Sequence, residues 1–508
     1  MRLLLASLLL AAPPLTAATP CANLAQLTLP NARITAATPV PAGAFTPPGG
    51  RPTPNLPAFC RVAVTLTPSP DSDIKVEVWL PAAWNSQFLG IGNGGFAGAI
   101  SYGGLIEAVR HGYATASTDT GHQGGGTDAS WALNHPEKII DFGHRAIHEM
   151  TVQAKAILTA HYGSAPRRSY FSSCSNGGRQ ALMEAQRYPA DYDGIIAGAP
   201  ANAWSFLMAN AARNMQATGR DLAGYIPAAK LPAIQSAVLA ACDQADGVKD
   251  GVLENPAACR FDPEALRCAG PDAPTCLTPP QVSSLKALYA PLRTPNGKPQ
   301  FPGYSPSGEA EPGGWGAWIT GPKPAASALY AFSTNFFRYM VHNDPAWTVD
   351  QFDLARDLPA AQKLAPILDA TNPDLRAFHA RGGRLILYHG WCDAAIPAQN
   401  AIDYYQSVVK KMGTAKAGQF VRLFMVPGMQ HCGGGAGPNA FGQGGAPQGD
   451  PAANIAAALV RWVEQGQAPE RILATKPGRT RPLCAYPNVA RFSGNGSPDD
   501  AANFNCAR

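Results

Sequence analysis

Short apolar runs alternate with stretches of helical spacing along most of this chain. KVEVWLP from Lys75, QFLGIGNGG from Gln87 and YATASTDT from Tyr113 read as strands. Between Phe142 and Tyr162 the apolar residues fall three and four apart, as on a helix with one buried face. A strand-like RRSYFSSCS, a helix-like GGRQALMEAQRYP and an apolar YDGIIAGAP follow. The rhythm then breaks and resumes at GGRLILYHGWCD and VRLFMVPGMQHC, with a final helix in ANIAAALVRWVEQGQ. Alternation of this kind predicts a parallel α/β sheet. The irregular stretch, residues 201–365, is long enough to be a domain of its own inserted into the sheet-forming one, residues 19–200 and 366–508. Residues 22–60, rich in Pro, Ala and Thr, read as an extended lead-in, and the Gly-rich run after Cys432 as a flexible loop.

Composition narrows the class. Charged residues are 15% and apolar residues 46% of 508, the profile of a globular chain. A net charge of +5 without a long Lys/Arg run excludes nucleic acid as a partner. The opening MRLLLASLLLAAPPLTAATP has a basic start, a short apolar run and small residues, which predicts a signal peptide over residues 1–18 and a secreted or periplasmic protein. Cys21 leaves a lipoprotein as a second reading, although the preceding ATP fits it poorly. That run is too short to span a bilayer, and no other segment is long and apolar enough, so no membrane partner is expected. Eleven cysteines without a Cys-x-x-Cys pair point to disulfides with one thiol left over, not to zinc.

Candidate chemistry starts at Ser175, which stands in Ser173-Cys174-Ser175-Asn176-Gly177 between a strand and a helix. This is the α/β-hydrolase nucleophile turn with Ser173 in place of the first glycine. By itself the string serves a helix-capping serine equally well. A serine hydroxyl needs a histidine to take its proton and a carboxylate to orient that histidine, in the chain order Ser, Asp, His in this fold. Asp393 and His431 each follow a strand directly and stand in that order. Asp374 reads as a helix start, and His389 precedes the aspartate and is at most a supporting residue. His111, His122, His135, His144 and His148 precede the serine. For the oxyanion the expected donors are the N–H groups of Asn176 and of Gly92, in the GIGNGG run.

Cys174 touches the serine in sequence, and Cys432 follows the histidine. With GNGGFAG, CSNGGRQALMEAQRYPADYDGIIAGAPA and ILYHGWCDAAIP, this constellation resembles the tannase and feruloyl esterase family, which also includes mono(2-hydroxyethyl) terephthalate hydrolase. The resemblance implies an α/β-hydrolase fold with a large lid inserted between nucleophile and catalytic acid, and a serine esterase acting on a small aromatic ester, most specifically a feruloyl ester. Galloyl or terephthalate esters are the alternatives. It also implies pairs Cys174–Cys432, Cys21–Cys60, Cys242–Cys259, Cys268–Cys276 and Cys484–Cys506, with Cys392 unpaired.

In the insertion, CDQADGVKDGVLENP places three carboxylates in one turn-rich loop, which suits either a hard cation or a set of Asx turns. The resemblance implies structural calcium on Asp243, Asp246, Asp250 and the carbonyls of Val248 and Val252. Trp204, Trp315, Trp318, Phe332, Phe336, Phe337 and Trp347 are candidates for an aryl-binding lid, more than half of them expected in the core, and Arg338 for a substrate carboxylate. Two rival classes stand beside the esterase. One is an inactive hydrolase fold used for binding. The other is a metal-dependent hydrolase built on HRAIH, His144 to His148, which lacks the glutamate of the zinc-protease motif.

Overall fold

The computed structural model describes residues 18–508 apart from 220, 221 and 295. The leader expected over residues 1–18 thus lies almost wholly outside the described residues. Nine strands form the central sheet: β1 (Ala32–Val40), β2 (Phe59–Leu66), β3 (Ile74–Pro81), β4 (Gln87–Ile91), β5 (Ala114–Thr118), β6 (Arg168–Cys174), β7 (Gly194–Gly198), β8 (Arg384–Gly390) and β9 (Val421–Val426). Their spatial order is β1-β2-β3-β5-β4-β6-β7-β8-β9. The first three strands and β5 pair antiparallel, and every pair from β5/β4 to β8/β9 is parallel. Strands β7 to β9 are nearly continuous apolar runs because helices cover both faces of a parallel sheet. This is the hydrolase-type α/β fold.

The strand order reverses direction about β4 and β5, and ligands of such sheets collect at the carboxyl ends near that switch. Ser175 follows β6, Asp393 follows β8 and His431 follows β9, so three distant sequence positions reach one sheet edge. The insertion leaves after β7 and returns before β8. Its ends lie side by side: Ala370 N–H donates to Asn202 O at 2.8 Å and Ser205 N–H to Asp369 Oδ1 at 2.9 Å. Its helices Trp204–Gly219, Leu231–Cys242, Pro279–Tyr289 and Ala328–Asn335 share one apolar core with Phe96, Phe142 and Ala394–Ile396 of the sheet domain. The insertion is thereby packed onto the sheet's carboxyl edge.

Two local expectations change. The Pro/Ala/Thr-rich lead-in contains edge strand β1 and a small hairpin, Gly43–Phe45 with Thr53–Leu56. The Gly-rich loop after Cys432 is tied down: Lys476 Nζ donates to the carbonyls of Gly435 and Ala436 at 2.8 and 2.9 Å, and Phe441 is buried against Tyr388. Among the described residues no helix is long and apolar enough to cross a membrane. Five disulfides form, with the partners the resemblance implies, and Cys392 is free and buried.

Candidate active site

Ser175 has φ 69° and ψ −126°, a conformation that L side chains rarely adopt and that lifts the hydroxyl out of the turn. The turn is crowded. A Cβ on Gly177 would lie 1.9 Å from Ser173 Oγ, and one on Gly178 2.2 Å from the Gly198 carbonyl. That crowding explains the two glycines that follow Asn176. The helix Asn176–Arg187 then starts directly at the serine.

His431 Nε2 lies 2.9 Å from Ser175 Oγ, and its Nδ1 lies 2.8 Å from Asp393 Oδ2. Asp393 Oδ1 accepts the N–H groups of Ala395 at 2.8 Å and Ile396 at 2.9 Å. Its side chain is fully buried. Burial raises the carboxyl's pKa, but the nearby charge of His431 and the hydrogen bonds of His389 and His431 outweigh it and hold the group well below the ordinary carboxylate range. The Cys174–Cys432 disulfide joins the residue before the serine to the residue after the histidine, across 258 positions of sequence.

Ser175 opens into a small apolar cleft of about 50 Å³. Gly95, Trp204, Leu207, Met208, Trp318 and Phe332 are among its walls, and none of its lining side chains is charged. Trp318 meets the His431 ring edge-on at 5.0 Å and stacks with Phe332. The other four lid aromatics, Trp315, Phe336, Phe337 and Trp347, are buried in the core. Arg338 does not line this cleft; its Nε donates to Trp347 O at 2.8 Å.

Along the glycine loop, expected to supply an oxyanion donor at Gly92, the residue that lines the cleft is Gly95. Gly92 does not line the Ser175 cleft; a Cβ there would meet Gln180 Oε1 at 2.5 Å and Ser173 Cβ at 2.9 Å. Gly95, with φ 57°, lines the cleft beside Asn176. Gln180 anchors the loop, accepting from Asn93 N–H at 2.9 Å, so the third residue past the nucleophile turn sets the height of the glycines. Gly95 and Asn176 thus line the cleft on either side of Ser175.

Residues 60–507 match the family described as tannase and feruloyl esterase. An uncharacterized esterase of Xanthomonas campestris pv. campestris is 44% identical over 97% of this chain and 92% of its own length. A probable feruloyl esterase B-2 of Aspergillus terreus is 34% identical over 88% and 86%. The crystal structure of feruloyl esterase B from Aspergillus oryzae superposes with a TM-score of 0.89 at 32% identity, covering 95% of this chain and 98% of that one. The chain belongs to the tannase and feruloyl esterase family.

In this family member the acidic lid loop folds as a series of turns. Asp246 Oδ1 accepts Val248 N–H at 3.2 Å, Asp250 Oδ1 accepts Val252 N–H at 3.0 Å, and Asp243 accepts Gly251 N–H at 3.0 Å. Asp250 Oδ2 also pairs with Arg479 and Arg481. Burial, then the charge of Asp250, raises the Asp246 carboxyl above its ordinary value. Among the described residues the trio of His, Cys, Asp or Glu side chains whose ligand atoms all lie within 4.8 Å is His148, Glu184 and Asp191, not the three lid aspartates.

The remaining histidines are engaged elsewhere. His144 Nδ1 meets Tyr188 Oη at 2.7 Å and His148 Nδ1 meets Asp191 at 2.6 Å, so HRAIH does not form a shared two-histidine centre. His111, His122 and His135 bond to Glu107 O, Phe96 O and Asp71. Asp374 pairs with Arg376 at the surface. The unpaired Cys392 packs with Sγ 3.0 Å from Ser307 Oγ, and burial pushes its thiol up to about 12. Sequence reasoning missed Leu207 and Met208, although with Trp204 they stand at i, i+3 and i+4 of one helix face. It also missed Arg179, fully buried, whose Nε donates to Asn176 Oδ1 at 2.8 Å and whose terminal nitrogens donate to the carbonyls of Phe142, Gly143 and Leu368.

Proposed function

We propose that this carboxylic ester hydrolase is an exported serine esterase of aromatic acid esters, with feruloyl (hydroxycinnamoyl) esters as its preferred class. The observation that carries the reading is the hydrogen-bond chain from Ser175 through His431 to Asp393 at the floor of an uncharged, aromatic-walled cleft. Ser175 Oγ attacks the ester carbonyl as His431 Nε2 takes its proton. Asp393 holds the ring with Nδ1–H toward it and balances the imidazolium. The Asn176 and Gly95 N–H groups receive the oxyanion. The carbon–oxygen bond to the alcohol breaks, His431 protonates the departing alkoxide, and the same imidazole then draws a proton from water for attack on the acyl-serine.

The cleft favours the feruloyl class on chemistry. A terephthalate monoester brings a carboxylate that Arg338 does not meet, and a gallate brings three hydroxyls to walls with few polar partners. A methoxylated cinnamoyl group is flat and largely apolar, suited to Trp318 and Phe332. The test is kcat/KM on methyl ferulate, methyl gallate and a terephthalate monoester, for wild type and Ser175→Ala. Methyl ferulate should lead by at least about tenfold, since one unpartnered polar group commonly costs that much. A lead by gallate would move the chain to the tannase side, and equal turnover by the two proteins would end the serine mechanism. Five disulfides and the leader-like start support export to an oxidising compartment.

Calcium in the lid belongs to the same proposal. The donor set suits a hard cation, with three carboxylates and the Val248 and Val252 carbonyls in one acidic loop, and each Oδ1 engaged by a single N–H retains a lone pair. Bound there, the ion would offset the mutual repulsion of the carboxylates and tie the lid loop down. Melting in EDTA against calcium tests it: at a hundredfold excess over Kd, calcium should add about 2.7 kcal/mol. Identical melting curves would remove the ion from the account.

A further inference from the structure

We propose that His389 is a positioning residue that fixes the Asp393 carboxylate for turnover, an inference that rests on the triad reading above. His389 is the sixth residue of β8, four before the aspartate, and its side chain is fully buried. Its Nε2 lies 3.0 Å from Asp393 Oδ2 and 3.1 Å from Ile396 O. Both neighbours are acceptors, so Nε2 carries the hydrogen and donates. Its Nδ1 is buried and has no hydrogen-bond partner. A proton there would be an orphaned buried donor, so the ring sits as the neutral Nε2–H tautomer.

That tautomer makes His389 a fixed donor, distinct in role from His431. Asp393 Oδ2 takes His389 on one side and His431 Nδ1 on the other, while Oδ1 takes the Ala395 and Ile396 N–H groups. Four donors surround one carboxylate, two per oxygen. The carboxylate therefore cannot swing away from His431, and a proton finds no free lone pair. Two groups that pack close by, Tyr304 from the lid and Tyr388 from β8, remain neutral phenols, raised first by burial and then by the Asp393 charge. They add no competing charge. Without His389, Oδ2 would hold a single donor and the orienting bond to His431 would loosen.

Three variants test this. His389→Leu removes the donor and keeps the bulk. His389→Gln puts an amide N–H close to where Nε2 stands, and His389→Asn places its amide nearer the Nδ1 position. On methyl ferulate, His389→Leu and His389→Asn should lose about tenfold or more in kcat, the usual weight of one hydrogen bond to a charged group. KM should stay within about twofold, and the acid limb of the kcat–pH profile should move to higher pH. His389→Gln should recover most of kcat and the wild-type acid limb. A packing role alone would give Gln no advantage over Leu, and that outcome overturns the proposal. So does a folded His389→Leu with wild-type kcat and pH profile. If the wild type itself turns over no ester, the triad reading fails instead. If His389→Leu does not fold, the Gln and Asn pair decides.

Discussion

Cutting the Cys174–Cys432 bridge should damage catalysis more than its effect on stability explains. The bridge closes a loop of 258 residues, the longest of the five; Cys21–Cys60 closes 39. The chain-entropy relation gives about 5.5 kcal/mol for the first and about 4 kcal/mol for the second at 25 °C. The two bridges inside the longer loop, Cys242–Cys259 and Cys268–Cys276, shorten it only slightly. On stability alone the two double variants, Cys174→Ala/Cys432→Ala and Cys21→Ala/Cys60→Ala, should thus differ by about 1.5 kcal/mol. They should differ far more in turnover. The first bridge sits one residue from both Ser175 and His431, whose contact is a single 2.9 Å hydrogen bond. A displacement of about 1 Å there costs on the order of a hundredfold. The second bridge ties β2 to the short helical turn Cys21–Gln26, away from the cleft. The assay is urea unfolding for each variant together with kcat on methyl ferulate, per folded molecule, in conditions where both are native. Expected is a kcat loss of about ten- to a hundredfold for the active-site pair and none beyond about twofold for the other. Equal kcat in the two variants would show that the serine and histidine loops keep register without the bridge, and the reasoning would fail.

A buried carboxyl and a cleft wall give two further predictions. Glu309 is fully buried, accepts Tyr289 Oη–H at 2.6 Å and titrates near pH 7, raised chiefly by burial. A carboxyl whose folded pKa exceeds its unfolded one contributes stability below the unfolded value and loses it as pH rises through the folded one. From pH 5 to 8 wild type should lose up to about 3 kcal/mol relative to Glu309→Gln, measured by urea midpoints, and parallel curves would refute the assignment. Trp318→Ala should raise KM for methyl ferulate by about three- to tenfold and leave that for an acetate ester within about twofold, since only the aryl substrate loses the ring contact; equal effects on both would refute it.

How much of this was legible in the sequence varies with the physics of each part. The parallel strands were visible because burial on both faces forces continuous apolar runs, as in Leu385–Tyr388 and Leu423–Val426. The approach of Ser175, Asp393 and His431 was visible because each stands within five residues of the carboxyl end of a strand, in the chain order a triad needs. Strand β1 was hidden: as a sheet edge it alternates half-exposed and exposed residues, and its Ala and Thr content matches an unstructured lead-in. Gly95 rather than Gly92 reaches the cleft because Gln180 pins Asn93, a contact across 87 positions that no local pattern encodes. The Gly-rich loop looked mobile because Lys476, which holds it, comes 40 residues later. The paired role of His389 depends on which way a buried ring points, and spacing alone is silent on that.

In the proposed mechanism Ser175 becomes acylated during turnover. Wild-type protein mixed with a feruloyl ester and acid-quenched within milliseconds, then digested and analysed by mass spectrometry, should carry one feruloyl group on the peptide containing Ser175. Turnover of the ester with no adduct there, or with the adduct on another residue, would contradict it.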